Sequence, residues 1–437
     1  METAEGAVVR GSGTARGAIE ANRSEANIVS PTYWGPSAEG RKVLFVATVA
    51  ATLRGFLIPY ARRLRKQGWK VDCLAAGASS CDTLRAEFDT CWEAPWTRRP
   101  LGKDGLLKAP TLVRHLVQSQ GYDVVHVHTP IAAFLTRWAL RRKFEGKPCV
   151  IYTAHGFHFH SGGGRLRNLV FFLLEKLAAR WTDFLVTINQ EDHHAAVENR
   201  FLPEERIFRM PGIGVDVEAY AGAAPPRARE EVVRELALPP GARIVTMIAE
   251  FTPNKRHRDL VDALALMKRR DTHLLFAGTG EEEIPVELHA FKRGVFDRVH
   301  FLGVRDDVPR LLAASDLAVL PSAREGMPRS VMEALCLGVP VVGTNVRGTR
   351  DLLASGAGEI VPVGDVEALA RALRKVLRDP ARRRAMSARG KEVIAEYDLA
   401  RTLEIHDGLY ARALQTLPRQ KALPLGATVP AEAARVG

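Results

Sequence analysis

Short apolar segments separated by amphipathic stretches recur along most of the chain. The first runs over residues 42–48, and an amphipathic stretch at 56–67 separates it from a second apolar segment at 69–75. Short apolar runs are typical of buried strands, and an amphipathic stretch that ends at a glycine, here Gly68, is typical of a helix. A strand–helix–strand unit implies parallel strands joined by a right-handed crossover. The pattern therefore predicts an α/β protein built on parallel sheets.

The alternation is interrupted once, and this interruption divides the chain into two predicted domains. Other strand-like segments lie at 123–128, 148–155 and 183–188 before it, and at 243–248, 273–278, 299–303, 317–321 and 340–344 after it. Between the two groups, residues 221–226 are small and rich in proline, which suits an interdomain connection. We predict two doubly wound domains in tandem, with the ligand site in the cleft between them, beyond the carboxyl ends of the strands.

The same pattern predicts the domain boundaries. The first domain is expected at residues 41–212, a linker at 213–240 and the second domain at 241–395, followed by a helix at 396–417 that packs back on the first domain. Residues 1–40 and 418–437 show no periodicity and are rich in small or polar residues, so we expect two disordered tails.

Composition limits the function classes. The chain has 437 residues, which suits two domains, and its five scattered cysteines form no CxxC pair, which indicates a reducing compartment. We find no run of eighteen apolar residues and no secretory leader, so a cytoplasmic location is expected. The net charge is +12, and residues 41–212 hold 26 Lys and Arg against 15 Asp and Glu. Nucleic acid, an anionic membrane face, a phosphorylated acceptor or solubility alone could each account for this excess.

The segment 321–340 is the most informative. It begins where a predicted strand ends, and Pro328 can sit in the first turn of a helix that stops at Gly338. Glu325 then precedes the helix and Glu333 lies within it. The unpaired N–H groups of the first turn can bind an anion such as a diphosphate. By itself the segment fits equally well a strand–loop–helix unit with two solvated carboxylates.

The two glutamates, with glycine after the first and Glu-Ala-Leu at the second, resemble the donor-site motif of family-4 retaining glycosyltransferases. The resemblance covers about residues 41–415 and implies the GT-B fold, in which two Rossmann-like domains face each other across a cleft. It implies that the first domain is on the acceptor side and that the second binds the nucleotide sugar. It further implies that Glu325 holds the sugar and Glu333 the ribose. The adjoining donor-binding candidates are Gly326, Met327, Pro328 and Arg329.

Residues 249–257 resemble the family loop that holds the diphosphate with a basic pair. Lys255 matches the second basic position, whereas Glu250 occupies the first, so Arg256 becomes the candidate for the second cation. A subgroup that makes bacterial capsular and exopolysaccharides is similar in having glutamate there. The remaining donor-binding candidates resemble the wall of the nucleotide pocket: Gly278, Gly280, Val304 and Arg305.

Three histidines, His155, His158 and His160, lie within six residues of the first domain. They could form part of a zinc site, but no nearby cysteine or aspartate completes one, so we expect no metal. The resemblance implies that His155 contacts the transferred sugar and that His158 and His160 face the acceptor. Two further histidines, His126 and His128, share one strand face, and we interpret them as structural.

The loop at residues 48–55 covers the cleft in this fold, so Arg54 and Gly55 are acceptor-side candidates, Arg54 for a phosphate of the acceptor. Two basic amphipathic stretches, 131–147 and 165–180, could lie on an anionic leaflet or face the core. No basic-aromatic motif indicates nucleic acid.

We therefore expect a catalytic set of His155, Lys255 and Glu325 that needs no metal or other cofactor. The expected reaction is retaining transfer of a sugar from a nucleotide diphosphosugar, with UDP favoured by analogy. The expected acceptor is a polyprenyl-diphosphate glycan at the inner face of the plasma membrane. A soluble acceptor remains an alternative, as does a nucleotide-sugar 2-epimerase on the same fold.

Overall fold

The computed structural model describes residues 38–96, 103–142, 148–160 and 162–417. The predicted tails lie outside the described residues except for residues 38–40, as do residues 143–147 of the first basic amphipathic stretch.

Seven parallel strands form the first sheet. They are β1 (Lys42–Val49), β2 (Lys70–Ala76), β3 (Cys91–Glu93), β4 (Val124–His128), β5 (Cys149–Ala154), β6 (Phe184–Thr187) and β7 (Ile207–Arg209). Their order across the sheet is β3-β2-β1-β4-β5-β6-β7. Alternate residues of β1 enter two different cores, Val43 and Phe45 on one face and Leu44 and Val46 on the other. The sheet is therefore covered on both faces, as the short and wholly apolar strands predict.

Six parallel strands form the second sheet. They are β8 (Arg243–Ile248), β9 (Thr272–Ala277), β10 (Val299–Phe301), β11 (Leu317–Leu320), β12 (Val341–Thr344) and β13 (Gly358–Val361), in the order β10-β9-β8-β11-β12-β13. The strand order reverses between β1 and β4 in the first sheet and between β8 and β11 in the second. Ligands bind beyond the carboxyl ends of the strands at such reversals. The prediction of two doubly wound parallel domains is confirmed.

Helices connect these strands. In the first domain they are α1 (Ala50–Thr52, a π-helical turn Leu53–Leu57, and Ile58–Lys66), α2 (Asp82–Glu87), α3 (Lys103–Gln120), α4 (Pro130–Ala139), α5 (Arg165–Ala179) and α6 (Gln190–Glu198). Later in the chain come α7 (Val217–Gly222), α8 (Ala228–Glu235), α9 (His257–Met267), α10 (Glu283–Lys292), α11 (Val308–Ala313), α12 (Arg329–Cys336), α13 (Arg347–Leu353), α14 (Val366–Arg378), α15 (Pro380–Ile394) and α16 (Leu399–Thr416).

The segment after β1 differs from the sequence interpretation. Residues 48–55 are expected to form a loop over the cleft, but helix begins at Ala50 and runs through the π-helical turn that contains Arg54 and Gly55. Leu53 and Leu57 of this turn are buried in the first domain. The apolar spacing of the segment, rather than its glycine, decides its conformation.

Helix α16 follows the second domain in the chain but packs on the first. Leu409, Tyr410 and Ala413 belong to the core that lies between the first sheet and α1. Asp407 also forms an ion pair of 2.7 Å with Arg63 of α1. The chain therefore crosses back over the cleft after completing the second domain.

Candidate functional site

The loops that follow β8 and β11 are bound to each other in the cleft. The N–H of Ala323 donates to the carbonyl of Asn254 (2.8 Å), and the side-chain amide of Asn254 donates to the carbonyl of Arg324 (2.9 Å). Beside them the Lys255 ammonium donates to the Glu325 carboxylate at 2.6 Å. The structure thus brings together Lys255 and Glu325, whose side chains are only 24% and 11% exposed.

Helix α12 begins directly after the Glu325 loop. Pro328 occupies the position before the first helical residue, not the first turn as predicted, and Gly338 follows the helix with a positive φ of 66°. The first backbone N–H groups of a helix have no partner within it and carry partial positive charge. The start of α12, reached through Gly326 and Met327, is therefore available to an anion lying next to Glu325.

Glu333 lies within α12 and is almost fully buried. Its carboxylate accepts a hydrogen bond of 2.8 Å from Arg329, one helical turn earlier. Burial raises the pKa of Glu333, and the charge of Arg329 and a hydrogen bond from Tyr220 oppose that rise. Arg329 also donates to the carbonyl of Gly55 at 2.5 Å, so this side chain joins the two domains across the cleft.

Beside Glu333 the cleft widens into a cavity of about 860 Å³, which we call the open end. The side chains that line it include Arg54, Arg62, Lys66, Tyr220, Arg305 and Glu333. The Arg305 guanidinium donates to Glu235 and to Asp307, at 2.8 Å each. Val304 is 74% exposed. The backbone groups of Val304 and Arg305 are expected to contact the nucleotide base, and this contact stays a prediction.

The predicted pocket glycines are required by the packing of neighbouring loops. A Cβ on Gly278 would lie 2.1 Å from the carbonyl oxygen of Ala249, and one on Gly280 would lie 2.4 Å from that of Phe251. The N–H of Gly278 also donates to the carbonyl of Gly303 at 2.7 Å. Glycine is therefore needed here for the close approach of two backbones, whatever these turns bind.

The remaining two candidates of the β8 loop are Glu250 and Arg256. Glu250 is exposed at the end of β8. Arg256 has a left-handed backbone (φ 55°), and its guanidinium donates to Asp259 at 2.6 Å. This guanidinium thus has a carboxylate partner, and its role as a second cation for a diphosphate stays a prediction.

The domains touch backbone to backbone on the other side of the Lys255–Glu325 pair. A Cβ on Gly326 would lie 1.9 Å from the carbonyl oxygen of His155, and a Cβ on Gly348 would lie 2.0 Å from the carbonyl oxygen of Gly326. We call this region, formed by His155, Gly326 and Gly348, the closed end. Its three backbones lie so close together that no side chain fits at either glycine.

A buried ion pair joins the domains at the closed end, and no local sequence pattern predicts it. Arg347, at the start of α13, donates to the carboxylate of Asp192 in α6 and, at 2.6 Å, to the carbonyl of Phe157. Asp192 also accepts from the N–H of Phe157 (3.1 Å) and from the amide of Asn189 (2.7 Å). Buried charges persist only when their hydrogen-bonding capacity is met in this way.

Buried histidines support His155 from below. Its Nε2 lies 3.0 Å from Nδ1 of His128, and His128 stacks on His126 with 4.3 Å between ring centroids. His126 in turn contacts Tyr410 of α16, 3.0 Å from the hydroxyl. Burial lowers the pKa of His155 to about 4, so its ring is neutral near pH 7 and acts as a hydrogen-bonding group.

The structure places His128, which we interpret as structural, against the ring of His155. Strand pairing explains this contact. Strands β4 and β5 are neighbours, and His128 pairs in register with Thr153, two residues before His155. In parallel strands such positions place side chains side by side.

His158 and His160 lie in the loop that leads from β5 to α5. The His158 ring packs on Phe171 of α5, 5.0 Å between centroids, and Asn168 of α5 donates to the carbonyl of His160 at 2.7 Å. Burial lowers the pKa of His158 to about 4, helped by the charges of Arg324, Arg167 and Arg347. Burial likewise lowers the pKa of His160. Contact of either ring with an acceptor stays a prediction.

The described residues contain neither a metal-binding cluster nor a membrane-spanning helix. Across the part of the chain that the structure describes, no group of three or more His, Cys, Asp or Glu side chains is arranged to hold a metal ion. Over the same residues, no helix is both long enough and apolar enough to cross a bilayer.

Comparison with known proteins places this cleft in a family. Residues 59–212 match the glycosyl transferase 4-like domain, and residues 228–393 match the glycosyl transferases group 1 model. EpsD of Bacillus subtilis, a glycosyltransferase by name, is 30% identical over 390 residues, which are 88% of this chain and 100% of EpsD. The chain belongs to the group 1 glycosyltransferases. The family resemblance that rests on Glu325 and Glu333 is thereby confirmed.

Other relatives of this glycosyltransferase agree with the polysaccharide subgroup. An Escherichia coli enzyme named UDP-Gal:alpha-D-GlcNAc-diphosphoundecaprenol alpha-1,3-galactosyltransferase is 29% identical over 304 residues, which are 68% of the chain and 76% of that enzyme. Among solved structures, Anabaena HepE in complex with UDP and glucose superposes with a TM-score of 0.69 at 23% identity, over 86% of the chain and 100% of HepE. At this identity the structural likeness shows the fold alone, and it confirms GT-B.

Proposed function

We propose that this glycosyltransferase moves a sugar from a UDP-sugar to a lipid-diphosphate-linked glycan, with retention at the anomeric carbon, in the assembly of a surface polysaccharide. The observation that carries the proposal is the convergence of Lys255, Glu325 and the start of α12 beside the backbone of His155. The UDP and glucose bound by HepE support the donor, and the named acceptor of the Escherichia coli relative supports the lipid diphosphate.

The donor fits the cleft in one direction. Its nucleoside occupies the open end, where Glu333 meets the ribose. Its diphosphate lies at the start of α12, where the helix supplies N–H donors and partial positive charge. Its sugar reaches the closed end between Glu325 and His155. This direction matches the sizes of the two ends, since a cavity of about 860 Å³ admits a nucleoside and the closed end leaves little room.

The chemistry follows from where negative charge develops. As the bond from the anomeric carbon to the diphosphate breaks, charge collects on the departing phosphate. Lys255 has three N–H donors and donates one to Glu325, so two are left for phosphate oxygens. Fixed donors aimed at developing charge in a partly dry site are an effective source of catalysis. The proposal assigns this stabilisation to Lys255 and α12 rather than to a metal.

Retention requires the acceptor oxygen to attack the face that the leaving group vacates. A phosphate oxygen of the leaving diphosphate then takes the proton of the acceptor hydroxyl as the new bond forms. The neutral ring of His155 orients the sugar. Glu325 binds sugar hydroxyls and is not a nucleophile, because its carboxylate is held by Lys255. This role differs from the two flanking carboxylates of retaining glycosidases.

The test is product formation by Glu325→Gln. A panel of UDP- and GDP-sugars is incubated with a lipid-diphosphate sugar, and products are identified by mass spectrometry. Losing a group that holds the transition state should lower turnover on the order of 100- to 1,000-fold. Glu287→Gln, which changes an exposed carboxylate of the same domain, is the matched control. Near-normal turnover by Glu325→Gln sinks the assignment.

Two reactions without the lipid acceptor separate the alternatives. With a UDP-sugar alone, an epimerase converts the donor into a different sugar nucleotide, whereas a transferase only hydrolyses it slowly. With a soluble sugar replacing the lipid-linked one, efficient transfer would identify the soluble-acceptor alternative.

We further propose that α5 rests on an anionic membrane surface. Its outward residues are apolar, with Leu166, Leu169 and Leu173 exposed by 76%, 53% and 54%. Exposed arginines flank them at Arg165 and Arg180. An amphipathic helix of this kind lies in the headgroup region, where each basic residue contributes about 1 kcal/mol on an anionic leaflet.

Helix α10 of the second domain offers a matched control. It also exposes apolar residues, Ile284 and Leu288, by 68% and 57%, but its N-terminal half is acidic, with Glu281 and Glu287 exposed, and basic residues occur only towards its C-terminal end. Vesicles of anionic phospholipid should retain the protein on flotation, and the pair Leu169→Glu and Leu173→Glu should abolish retention. The pair Ile284→Glu and Leu288→Glu should leave it unchanged. Equal loss in both pairs, or no binding by the unaltered protein, contradicts this proposal.

A further inference from the structure

Two arginines near the closed end form no salt bridge within the described part of the chain. Arg324 precedes Glu325 and is half-buried, and Arg167 lies in the first turn of α5. Among the residues that the structure describes, no carboxylate forms a salt bridge with either guanidinium, and neither donates a side-chain hydrogen bond. Arg167 contacts only the ring of Phe171, 5.7 Å from its centroid.

Two carboxylates near Arg324 already form ion pairs with other cations. Glu325 is held by Lys255 at 2.6 Å, and Asp192 is held by Arg347, which is itself buried. The two remaining positive charges act on each other and on His158. Burial lowers the pKa of Arg324 and the charges of Arg347 and Arg167 lower it further, whereas the charges of Glu325 and Asp192 raise it. The same three arginines contribute to the lowered pKa of His158.

This arrangement is costly without an anion. Arg324 is partly removed from water beside other positive charges, and such a guanidinium is destabilised until an oxyanion pairs with it. Arg167 is exposed and adds a second positive charge to the same place. His158 adds a further polar atom, since its buried Nδ1 has no hydrogen-bond partner in the described structure. Guanidinium groups bind phosphate through parallel hydrogen bonds.

We propose that Arg324 and Arg167 form an anion subsite, edged by His158, that binds a phosphate group of the acceptor. The inference rests on the proposed transferase function and names the substrate chemistry on the acceptor side. The donor diphosphate has its own partners at Lys255 and the start of α12. Arg167 also belongs to the helix whose outward face is apolar, so a lipid attached to the bound phosphate can follow α5 to the membrane.

Binding of inorganic diphosphate to the full chain, measured by calorimetry with the donor site saturated by UDP, tests the subsite. Arg324→Gln and Arg167→Gln should each weaken diphosphate binding about tenfold or more, because each removes a charged hydrogen-bonding partner. Arg324→Lys should retain part of the affinity. Arg180→Gln removes the same charge from the other end of α5 and should change binding less than about twofold.

The outcomes separate this inference from the proposed function. Absence of UDP binding by the unaltered protein sinks the proposed function. Normal UDP binding together with unchanged diphosphate affinity in both glutamine variants overturns the subsite alone. Weakened UDP binding in Arg324→Gln, with diphosphate unaffected, would assign this arginine to the donor and also overturns it.

A third probe distinguishes the source of the phosphate. Decyl diphosphate below its critical micelle concentration should bind more tightly than inorganic diphosphate if the ligand is lipid-linked, because its chain covers the apolar face of α5. Equal affinities support the subsite with a soluble sugar phosphate as its ligand.

Discussion

The two ends of the interdomain cleft are built in opposite ways. At the closed end the domains meet through the backbones of His155 and Gly326 and through the buried pair of Arg347 and Asp192. At the open end they enclose about 860 Å³, and Arg329 reaches across to the carbonyl of Gly55 from a side chain that is 46% exposed. Contacts that fix distance are thus concentrated where a bond would be made, and space is left where a nucleotide would enter.

Breaking the buried pair should have the largest effect on this contrast. Arg347→Met leaves Asp192 charged and buried without its cation, which typically costs about 3–5 kcal/mol. Urea unfolding followed by fluorescence and circular dichroism should show this loss. Adding Asp192→Asn should recover part of it, because the amide keeps a partner in Asn189 and carries no charge. A single variant within 1 kcal/mol of the unaltered protein would argue against a tight closed end.

Adding a methyl group at the closed end should lower activity more than it lowers stability. Gly326→Ala puts a methyl group 1.9 Å from the His155 carbonyl, so the domains must separate. A misplacement of about 1 Å at a reacting centre costs roughly 100-fold in rate, or about 2.7 kcal/mol. The measurement is turnover with a fixed donor and acceptor. Gly222→Ala, where the added methyl meets nothing within 4 Å, is the control. Equal rates for the two variants would mean that the closed end tolerates separation.

The histidines beneath the closed end should make it sensitive to acid. The folded-state pKa of His155 is lowered to about 4 and that of His406 to about 3. A depressed histidine pKa means that the unfolded chain binds more protons. Stability is therefore complete above about pH 6.5 and falls as pH drops toward 4, by up to about 1.4 kcal/mol per unit of depression for each histidine.

His406→Phe checks this dependence. Both ring nitrogens of His406 lack partners in the described structure, and its ring stacks on Tyr410 at 4.4 Å between centroids. Phenylalanine keeps the stacking and removes the titration, so the melting temperature should fall less between pH 6.5 and 4. His194→Phe, at an exposed position, should leave the pH dependence unchanged. A His406→Phe variant as acid-sensitive as the parent would contradict the assignment.

The contact at the open end should matter least. Arg329→Gln removes the hydrogen bond to Gly55 and the pair with Glu333, both partly exposed on the arginine side. A pair with one exposed partner contributes on the order of 1 kcal/mol, and in the variant Tyr220 still donates to the buried Glu333 carboxylate. We expect little change in melting temperature and a rise in the donor KM of about two- to fivefold. A loss of stability as large as that of Arg347→Met would remove the distinction between the two ends.

Much of this architecture follows from local patterns. The apolar runs and their amphipathic spacers predict both sheets, and Glu325, Glu333 and Lys255 can be named from their spacing once the family motif is seen. Once β4 and β5 are paired in parallel, their register also explains why His128 lies beside His155. The family resemblance misled at residues 48–55, because it implied a loop where the buried Leu53 and Leu57 favour a helical turn.

Other features depend on tertiary distance that no local pattern encodes. Asp192 and Arg347 are 155 residues apart, and each looks like an ordinary charge in a helix. The pairing of Arg256 with Asp259 is likewise visible only in the structure, because the sequence position alone does not show which carboxylate lies beside this guanidinium. The unpaired state of Arg324 becomes visible only when the partners of every nearby carboxylate are known.

Helix α16 has a consequence for how the protein is made. The first domain begins at β1 but takes Leu409, Tyr410 and Ala413 of its core from a helix that leaves the ribosome only after the second domain. Until then the face of α1 that receives α16 stays uncovered, and each missing large apolar side chain withholds about 1.5–3 kcal/mol. We expect the first domain to wait, incompletely packed, while the second folds as a unit. During synthesis the second domain would thus complete its folding before the first, although the first is made earlier.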